Sequence, residues 1–282
     1  MKIIIRFLYL FCLLFLLSCS VRNEQKTLAI TDSLLTTRPD SALKLLDEMG
    51  NVGQMSEAGV MHYAWNHAMV HYLLGISLVE DSLVSHVVGY YRQQGDVAKL
   101  LDGYLLKASY LQWTRQDRAA LKELEEGIKI AHEQSNAGKW AQLVEQKVLL
   151  LNHSGNYAKA AKTAQMVLNG HYSLDRNMRG RLLYALAISL SHVGDMASDS
   201  CFKESISLSM EGGEEEKAAE RILSYADVLA ARGDYVQSNR YLFHCQRFVP
   251  KYADSSAIYV SLANNYINLH QLDSAQIYLG RA

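Results

Sequence analysis

Two histidines, His67 and His71, have the spacing that most directly suggests chemistry. They stand four residues apart in a stretch with helical periodicity, so both imidazoles lie on one helix face, an arrangement that can bind a metal ion. No acidic residue lies between them to act as a base, and no third ligand is close in the sequence, whereas a structural zinc site needs four ligands. The neighbours Trp65 and Tyr72 favour histidines that flank a hydrophobic core. We therefore predict no metal here; an enzyme built around this pair is the alternative.

The rest of the chain carries no catalytic signature. No Ser, His and Asp set falls in a strand–turn–helix elbow, and no glycine-rich loop is suited to cradle phosphates. Gly212 and Gly213, followed by three glutamates, are typical of a loop and an acidic first helical turn. The formal net charge is -1 and no basic run occurs, so nucleic-acid binding has no electrostatic basis. The sequence predicts a protein that is not an enzyme, uses no cofactor and binds no nucleic acid.

The four cysteines divide into two groups. Cys12 and Cys19 lie near the amino terminus, which leaves only Cys201 and Cys245 in the body of the protein. This number is far too small for a disulfide scaffold. A bridge between Cys201 and Cys245 is conceivable, but two small buried apolar side chains are the favoured interpretation.

The first 19 residues, MKIIIRFLYLFCLLFLLSC, have the pattern of an export signal. Lys2 and Arg6 supply a positive start, and an apolar core from Phe7 to Leu17 follows that is too short for a membrane-spanning helix. The end of this segment, Leu16-Leu17-Ser18-Cys19, resembles the bacterial lipoprotein signal, in which the cysteine receives a diacylglyceryl group and becomes the first mature residue. An ordinary secretory peptide with an incidental cysteine is the alternative.

This resemblance implies lipidation of Cys19 and attachment to a membrane. Each buried methylene contributes about 0.8 kcal/mol, so several acyl chains hold a protein on a bilayer where one would not. The residue after Cys19 is Ser20 instead of an aspartate, so the enterobacterial-type signal for inner-membrane retention is missing. We expect a protein of the cell envelope, anchored in the outer membrane rather than the inner one, with its body in the periplasm or at the cell surface.

Beyond residue 27 the chain has helical periodicity nearly throughout, without a convincing alternating strand pattern. A short turn between two apolar helical runs recurs five times, at starts that are 40, 39, 39 and 37 residues apart. These hairpin turns start at Arg115, Gly155, Gly194, Gly233 and His270. Glycine suits a left-handed residue that ends one helix, and an Asn or Asp after it can cap the next. The spacing predicts a series of helix hairpins.

Side-chain size is repeated at fixed distances from these turns. Seven residues before the turn stand Ala108, Val148, Ala187, Ala226 and Ala263. Four residues before it stand Leu111, Leu151, Leu190, Leu229 and Tyr266. Five residues after it stand Ala120, Ala160, Asp199, Ser238 and Ala275. A small side chain lets the paired helix approach closely, and a large one would overpack the contact by about 1–3 kcal/mol.

These rows resemble tetratricopeptide repeats (TPR), which have a small residue and a bulky one on the first helix and an alanine on the second. Pro250 also stands where the family uses proline to close a second helix. Asp199 and Ser238 depart from the expected alanine, and the period is near 39 instead of 34. The resemblance implies an all-α fold, a right-handed superhelical solenoid of TPR-like antiparallel hairpins with longer helices or loops than usual.

Two weaker hairpins precede the regular ones. One comprises residues 28–35 and 38–47, where Pro39 begins a helix, and the other comprises residues 56–75 and 81–94. Together with the leader, this layout resembles the TPR lipoproteins of Bacteroidetes.

The resulting division is a signal peptide at 1–18, a tether at 19–26, divergent hairpins at 27–97 and a TPR-like array at 98–282. Because a solenoid needs a polar cap and none is present at Ala282, we expect the array to be incomplete or shielded by a partner at this end.

A solenoid ordinarily presents a concave surface lined by its first helices. The TPR resemblance places the groove on residues offset from the packing rows, where polar and aromatic side chains suit binding to a peptide backbone. These candidates are Gln112, Trp113, Asn152, His153, Tyr184, Ser191, His192, Asn264 and Asn268. An ordinary solvated face is the alternative. We predict an envelope scaffold that binds a protein or peptide and catalyses no reaction, and that serves as the sensory part of a signalling protein; a SusD-like glycan-binding lipoprotein is the second interpretation.

Overall fold

The computed structural model describes residues 25–50, 52–170, 173–248 and 255–282, and over this part of the chain it is all-α without a strand. The predicted signal peptide, Cys19 and Pro250 lie outside the described residues. The helices are α1 (residues 25–34), α2 (Pro39–Asp47), α3 (Glu57–Leu74), α4 (Val84–Gln94), α5 (Val97–Trp113), α6 (Asp117–Glu133), α7 (Ala137–His153), α8 (Tyr157–Leu168), α9 (Arg176–His192), α10 (Ser198–Glu211), α11 (Glu215–Ala231), α12 (Tyr235–Phe248), α13 (Ser256–Asn268) and α14 (Leu272–Leu279).

The same backbone geometry closes the first helix of five hairpins. The residue at each turn has a positive φ, in the order Arg115 (61°), Gly155 (72°), Gly194 (75°), Gly233 (84°) and His270 (58°). The residue that follows donates its N–H, at 2.8 or 2.9 Å, to the carbonyl of the bulky residue four positions before the turn. Arg115 and His270 adopt this conformation without glycine, at a cost of about 1–2 kcal/mol each. The hairpins therefore share a closing motif of the Schellman type.

The row of small residues seven positions before each turn is buried, and none of its members is more than 2% exposed. Its partner row on the second helices is also buried at Ala120, Ala160, Ser238 and Ala275. Both rows therefore face the interior, one on the first helices and the other on the second helices. Small side chains at these positions allow each hairpin to close tightly.

The two departures from alanine form polar ties between neighbouring hairpins. Arg232, at the end of α11, donates from Nη1 to Asp199 Oδ1 at 2.6 Å on α10. Asn265 on α13 donates from Nδ2 to Ser238 Oγ at 2.8 Å on α12. In both cases the non-alanine residue accepts a hydrogen bond from the next hairpin, so each departure has a structural reason.

The chain divides into two compact units, Met1–Lys139 and Trp140–Ala282. In the described part of the first unit, α2 packs on α3, α3 on α4, α4 on α5 and α5 on α6. In the second unit the helices from α8 to α14 likewise pack in chain order. The core of the second unit includes Phe202, whose ring stacks on Tyr225 with centroids 5.0 Å apart. Each unit is thus built from antiparallel hairpins.

The cysteines of the body lie on second helices of consecutive hairpins. Cys201 on α10 is half-buried, Cys245 on α12 is buried, and both are free thiols. Burial raises the pKa of Cys245 to about 11. The burial of both cysteines is therefore that expected of packing residues and not of reactive thiols.

None of the helices among the described residues is both long enough and apolar enough to span a membrane.

Candidate functional site

The nine groove candidates differ in exposure. Gln112 and Trp113 lie at the end of α5 in the first unit, and the indole of Trp113 is 49% exposed. The other candidates lie in the second unit. Exposed there are His153, His192, Asn264 and Asn268, while the half-buried ones are Asn152, Tyr184 and Ser191. The exposed candidates lie in the last two turns of their helices.

Asn152 ties the first helices of two hairpins together. Its Nδ2 donates to the carbonyl of Ala185 at 2.9 Å, and its Oδ1 accepts a hydrogen bond from Ser189 Oγ at 2.8 Å. Both ends of the amide are therefore engaged between α7 and α9. The contact fixes the spacing of these two helices. The adjacent His153 is exposed at the surface.

Tyr184 makes the corresponding tie between α9 and α11. Its hydroxyl shares a hydrogen bond with Ser224 Oγ at 2.7 Å. Burial raises the pKa of Tyr184, with the hydrogen bond to Ser224 acting in the opposite direction. The neutral phenol is therefore the form that bridges the two helices.

His192 is exposed at the end of α9 and lies against the preceding hairpin. Its imidazole stacks on the ring of Tyr157, with centroids 4.0 Å apart and planes inclined by 18°. Ser191, beside it, donates to the carbonyl of Ile188 at 2.8 Å. Asn268, at the end of α13, donates to the carbonyl of Asn264, also at 2.8 Å. The imidazole of His192 offers a flat, partly ordered surface with a polar edge, which suits stacking on a peptide and hydrogen bonding to it.

A buried ion pair adds a contact that the sequence analysis missed. Arg181 on α9 donates from Nε to Glu145 Oε1 on α7 at 2.6 Å, and its Nη2 contacts the other carboxylate oxygen. Burial raises the pKa of Glu145, and the positive charges of Arg181, Lys217 and Arg221 oppose that shift. We name the contacts Glu145–Arg181, Asn152–Ser189 and Tyr184–Ser224 the polar ladder.

Arg221 is a second buried charge beside the ladder and is only 2% exposed. Its Nη1 donates to the carbonyl of Ser205 at 2.7 Å and contacts Ser209 Oγ, and its guanidinium lies 5.8 Å from the ring centroid of Tyr184. Gly180 makes room for it, since a Cβ at that position would lie 2.9 Å from Nη1. The guanidinium therefore fastens α11 to α10 while α9 passes close by.

The same turn-based alignment marks the positions of residues in the polar ladder, although it does not show which of them pair. Glu145 and Tyr184 both stand ten residues before their turns, and Arg181 stands thirteen before. Tyr184 is among the predicted groove residues, whereas Glu145 and Arg181, which also lie away from the ends of their helices, are not. Charged and polar residues at interior positions of consecutive first helices were the available signal.

The structure brings a third possible ligand, Asp81, to His67 and His71, although none is close to them in the sequence. His67 Nδ1 lies 2.6 Å from Asp81 Oδ1, and His71 Nδ1 lies 2.7 Å from Asp81 Oδ2. We name these three residues the histidine cluster. The sequence analysis overlooked Asp81 because it follows the end of α3 by seven residues and reaches the histidines only when the chain folds back.

Comparisons with solved structures identify similar folds. Apo RapI matches with a TM-score of 0.66 at 14% identity, covering 92% of this chain and 75% of that one. The apo form of the quorum sensor NprR from B. thuringiensis matches with a TM-score of 0.64 at 12% identity, covering 91% and 85%. The Rap conjugation gene regulator of plasmid pLS20, in complex with the Phr* peptide, matches with a TM-score of 0.57 at 13% identity, covering 92% and 74%.

These neighbours are TPR-like helical proteins, so the predicted TPR-like, all-α fold class is confirmed. At such low sequence identity the likeness shows the fold alone. No protein-family model and no curated protein matches the chain.

Proposed function

We propose that this protein is a lipid-anchored scaffold of the cell envelope whose first helices bind a peptide or a protein segment. The observation that carries the proposal is the repeated exposure of a polar or aromatic side chain two residues before the turn. Trp113 in the first unit and His153, His192 and Asn268 in the second unit occupy this position and are exposed.

The polar ladder supports this function because it fixes the spacing of the surface residues. Contacts from α7 to α9 and from α9 to α11 hold successive first helices in register. A surface whose groups are already positioned loses less conformational entropy on binding than a mobile one. The second unit thus presents the imidazoles of His153 and His192 on successive first helices, which suits an extended chain with regularly spaced backbone groups.

The fold comparison supports the same proposal in a general way. One neighbour, the pLS20 regulator, was solved with the Phr* peptide bound, and another is a quorum sensor. A fold of this kind can therefore hold a peptide. We extend this property to the present chain as a proposal, with a signalling or regulatory role as its consequence.

The proposal is tested by replacing Trp113, His153 and His192 together with alanine. The tagged full-length chain and this triple variant are expressed in native cells, and bound proteins are quantified by mass spectrometry. We expect a partner that is enriched on the wild type and lost from the variant, because these side chains carry exposed contact groups.

Met166 provides a matched control on a second helix. It is 58% exposed on α8, so Met166→Ala removes a large exposed side chain from a different helix row. We expect this variant to capture the partner as the wild type does. Undiminished capture by the triple variant would rule out this surface.

The anchor is a separate part of the proposal, and it depends on Cys19. The leader pattern and the box Leu16-Leu17-Ser18-Cys19 support it. Palmitate labelling of wild-type cells and of cells carrying Cys19→Ala tests it, with label expected only in the wild type. Membrane fractionation should then find the labelled protein in the outer membrane. Equal labelling of both proteins would overturn the anchor and leave the binding surface untouched.

A further inference from the structure

The histidine cluster, in the first unit, consists of three side chains of types that commonly act as metal ligands. One donor atom from each of His67, His71 and Asp81 lies within 4.8 Å of the others. All three side chains are largely buried, with exposures of 19%, 12% and 7%. The two imidazoles approach different oxygens of one carboxylate, and their ring centroids are 4.3 Å apart. This arrangement brings two nitrogen donors and one oxygen donor to a single point.

Local structure explains why these groups meet. The two histidines stand one helical turn apart on α3, so their side chains lie on the same face. Gly75 ends α3 in the left-handed conformation with a φ of 67°, which turns the chain back. The buried Leu78 then anchors the connecting segment, and its carbonyl accepts the N–H of Asp81 at 2.9 Å. The backbone therefore holds the carboxylate against the histidines.

A second carboxylate faces the other nitrogen of His67. Asp47 Oδ1, at the end of α2, lies 3.9 Å from His67 Nε2. An imidazole that binds a metal through one nitrogen characteristically directs its other N–H to a carboxylate, which fixes the tautomer and the ring orientation. The carboxylates of Asp81 and Asp47 lie on opposite sides of the His67 imidazole, one near each ring nitrogen. The surroundings of the cluster are thus electrostatically negative, which favours a cation.

We propose that His67 Nδ1, His71 Nδ1 and Asp81 bind a divalent transition metal, Zn²⁺ above all, with Asp47 orienting His67 from outside. Imidazole and carboxylate donors suit Zn²⁺, which binds such ligands at about 2.0–2.2 Å. Small rotations of the histidine side chains bring the donors to that distance. Three protein ligands leave one tetrahedral position for water. The ion then fastens α3 to the segment that leads into α4.

The test uses Co²⁺, a spectroscopic substitute for Zn²⁺, added to the metal-free full-length chain in detergent. We expect one equivalent to bind with the visible absorption of a tetrahedral ion, and added Zn²⁺ to displace it. His71→Gln should abolish the absorption. Asp47→Asn should weaken binding by about 10–100-fold, the loss typical of an outer-shell partner. Absence of the band in the wild type, or an equal band in His71→Gln, would overturn the proposal.

His62 supplies the matched control. Its Nε2 contacts Asp32 at 2.9 and 3.0 Å in the same unit, as a single histidine with a single carboxylate. His62→Gln should leave Co²⁺ binding unchanged, and equal loss in this variant would count against a specific site.

A measurement on the wild type alone covers the case in which His71→Gln does not fold. Zn²⁺ should slow the carbethoxylation of His67 and His71 by diethyl pyrocarbonate, read by mass spectrometry. It should leave the rates at His62 and the exposed His132 unchanged. Unchanged rates at His67 and His71 under saturating Zn²⁺ would contradict the proposal.

Discussion

The histidine cluster in the first unit and the polar ladder in the second unit each contain a buried carboxylate, but the two carboxylates contact different kinds of side chain. Asp81 faces two imidazoles, whereas Glu145 faces the guanidinium of Arg181. An arginine keeps its positive charge at all relevant pH values and does not bind metals, while an imidazole is a common metal ligand. The ladder is therefore a structural contact, whereas the cluster has the donor atoms of a metal site.

The two regions also connect different parts of their units. The histidine cluster joins one helix to the segment that follows it, so it acts within a hairpin. The ladder joins first helices of successive hairpins, so it sets the distance between neighbouring repeats. We infer that the histidine cluster, which acts within one hairpin, is suited to a ligand that can bind and leave. The ladder, which acts between repeats, preserves the surface to which a partner binds.

The largest effect is expected from Arg181→Ala. This change leaves Glu145 buried without its main counter-charge, which typically costs about 3–5 kcal/mol. The free energy of unfolding, measured by urea denaturation, should fall by an amount in that range. In the double variant Arg181→Ala/Glu145→Gln most of the loss should be recovered, since no buried charge remains.

The single variant Glu145→Gln tests whether the ion pair itself contributes to stability. The side chain of Arg181 is 32% exposed and can be hydrated when its partner is neutral. We expect this variant to lie within about 1 kcal/mol of the wild type, because replacing a buried ion pair is often close to neutral. A loss as large as that of Arg181→Ala would show that the ion pair is strongly stabilising in itself.

Asp81→Ala should produce the next largest effect. It removes the acceptor of two buried imidazole N–H groups, and an unsatisfied buried polar group costs about 1–3 kcal/mol. Thermal unfolding followed by circular dichroism in the presence of a chelator measures this loss. An unchanged melting temperature would show that the cluster does not stabilise the metal-free first unit.

The pH dependence of stability should differ in sign between Asp32 in the first unit and Glu145 in the polar ladder. Burial raises the pKa of Asp32, but hydrogen bonds from His62 and Asn66 outweigh it, so the pKa lies below 3.8. Asp32 therefore stabilises the fold above pH 3.8, and this contribution is lost as the pH falls through its folded pKa. Glu145 has a pKa raised above 4.5, so its contribution is present below pH 4.5 and is lost as the pH rises through its folded pKa.

Melting temperatures measured across this range for Asp32→Asn and Glu145→Gln test both signs. The disadvantage of Asp32→Asn should shrink on acidification. The stability of Glu145→Gln relative to the wild type should increase as the pH rises. Parallel curves for the wild type and either variant would contradict the assignment for that residue.

The smallest effect on stability is expected for the triple variant of Trp113, His153 and His192. Substitutions at exposed positions usually change stability by no more than about 0.5 kcal/mol. Differential scanning calorimetry should therefore give nearly the same melting temperature as for the wild type. A decrease of several degrees would mean that loss of binding in this variant reflects damage to the fold.

The repeated architecture could be predicted because it depends on local rules. Left-handed residues and small packing residues recur at fixed intervals, and Gly155, Gly194 and Gly233 mark them directly. The residues of the groove were harder to predict, because an exposed polar residue and one that forms hydrogen bonds between helices look alike in the sequence. Asn152 and His153 are adjacent, yet one is engaged between helices and the other is exposed.

Contacts across loops or between hairpins could not be predicted from periodicity. Asp81 meets His67 through the fold of the intervening segment, and Asp199 meets Arg232 thirty-three residues away. Such pairs depend on how the connecting segment turns, which hydrophobic patterning does not specify. The pairing of the polar interior residues is therefore the part that only the three-dimensional structure reveals.

The most direct test of the binding surface is site-specific photo-crosslinking in living cells. A photoreactive phenylalanine analogue at His153 or His192 in the second unit should yield a crosslink to the same partner, and the analogue at Met166 on a second helix of that unit should yield none. Crosslinks from Met166 alone, with none from the first-helix positions, would contradict the account.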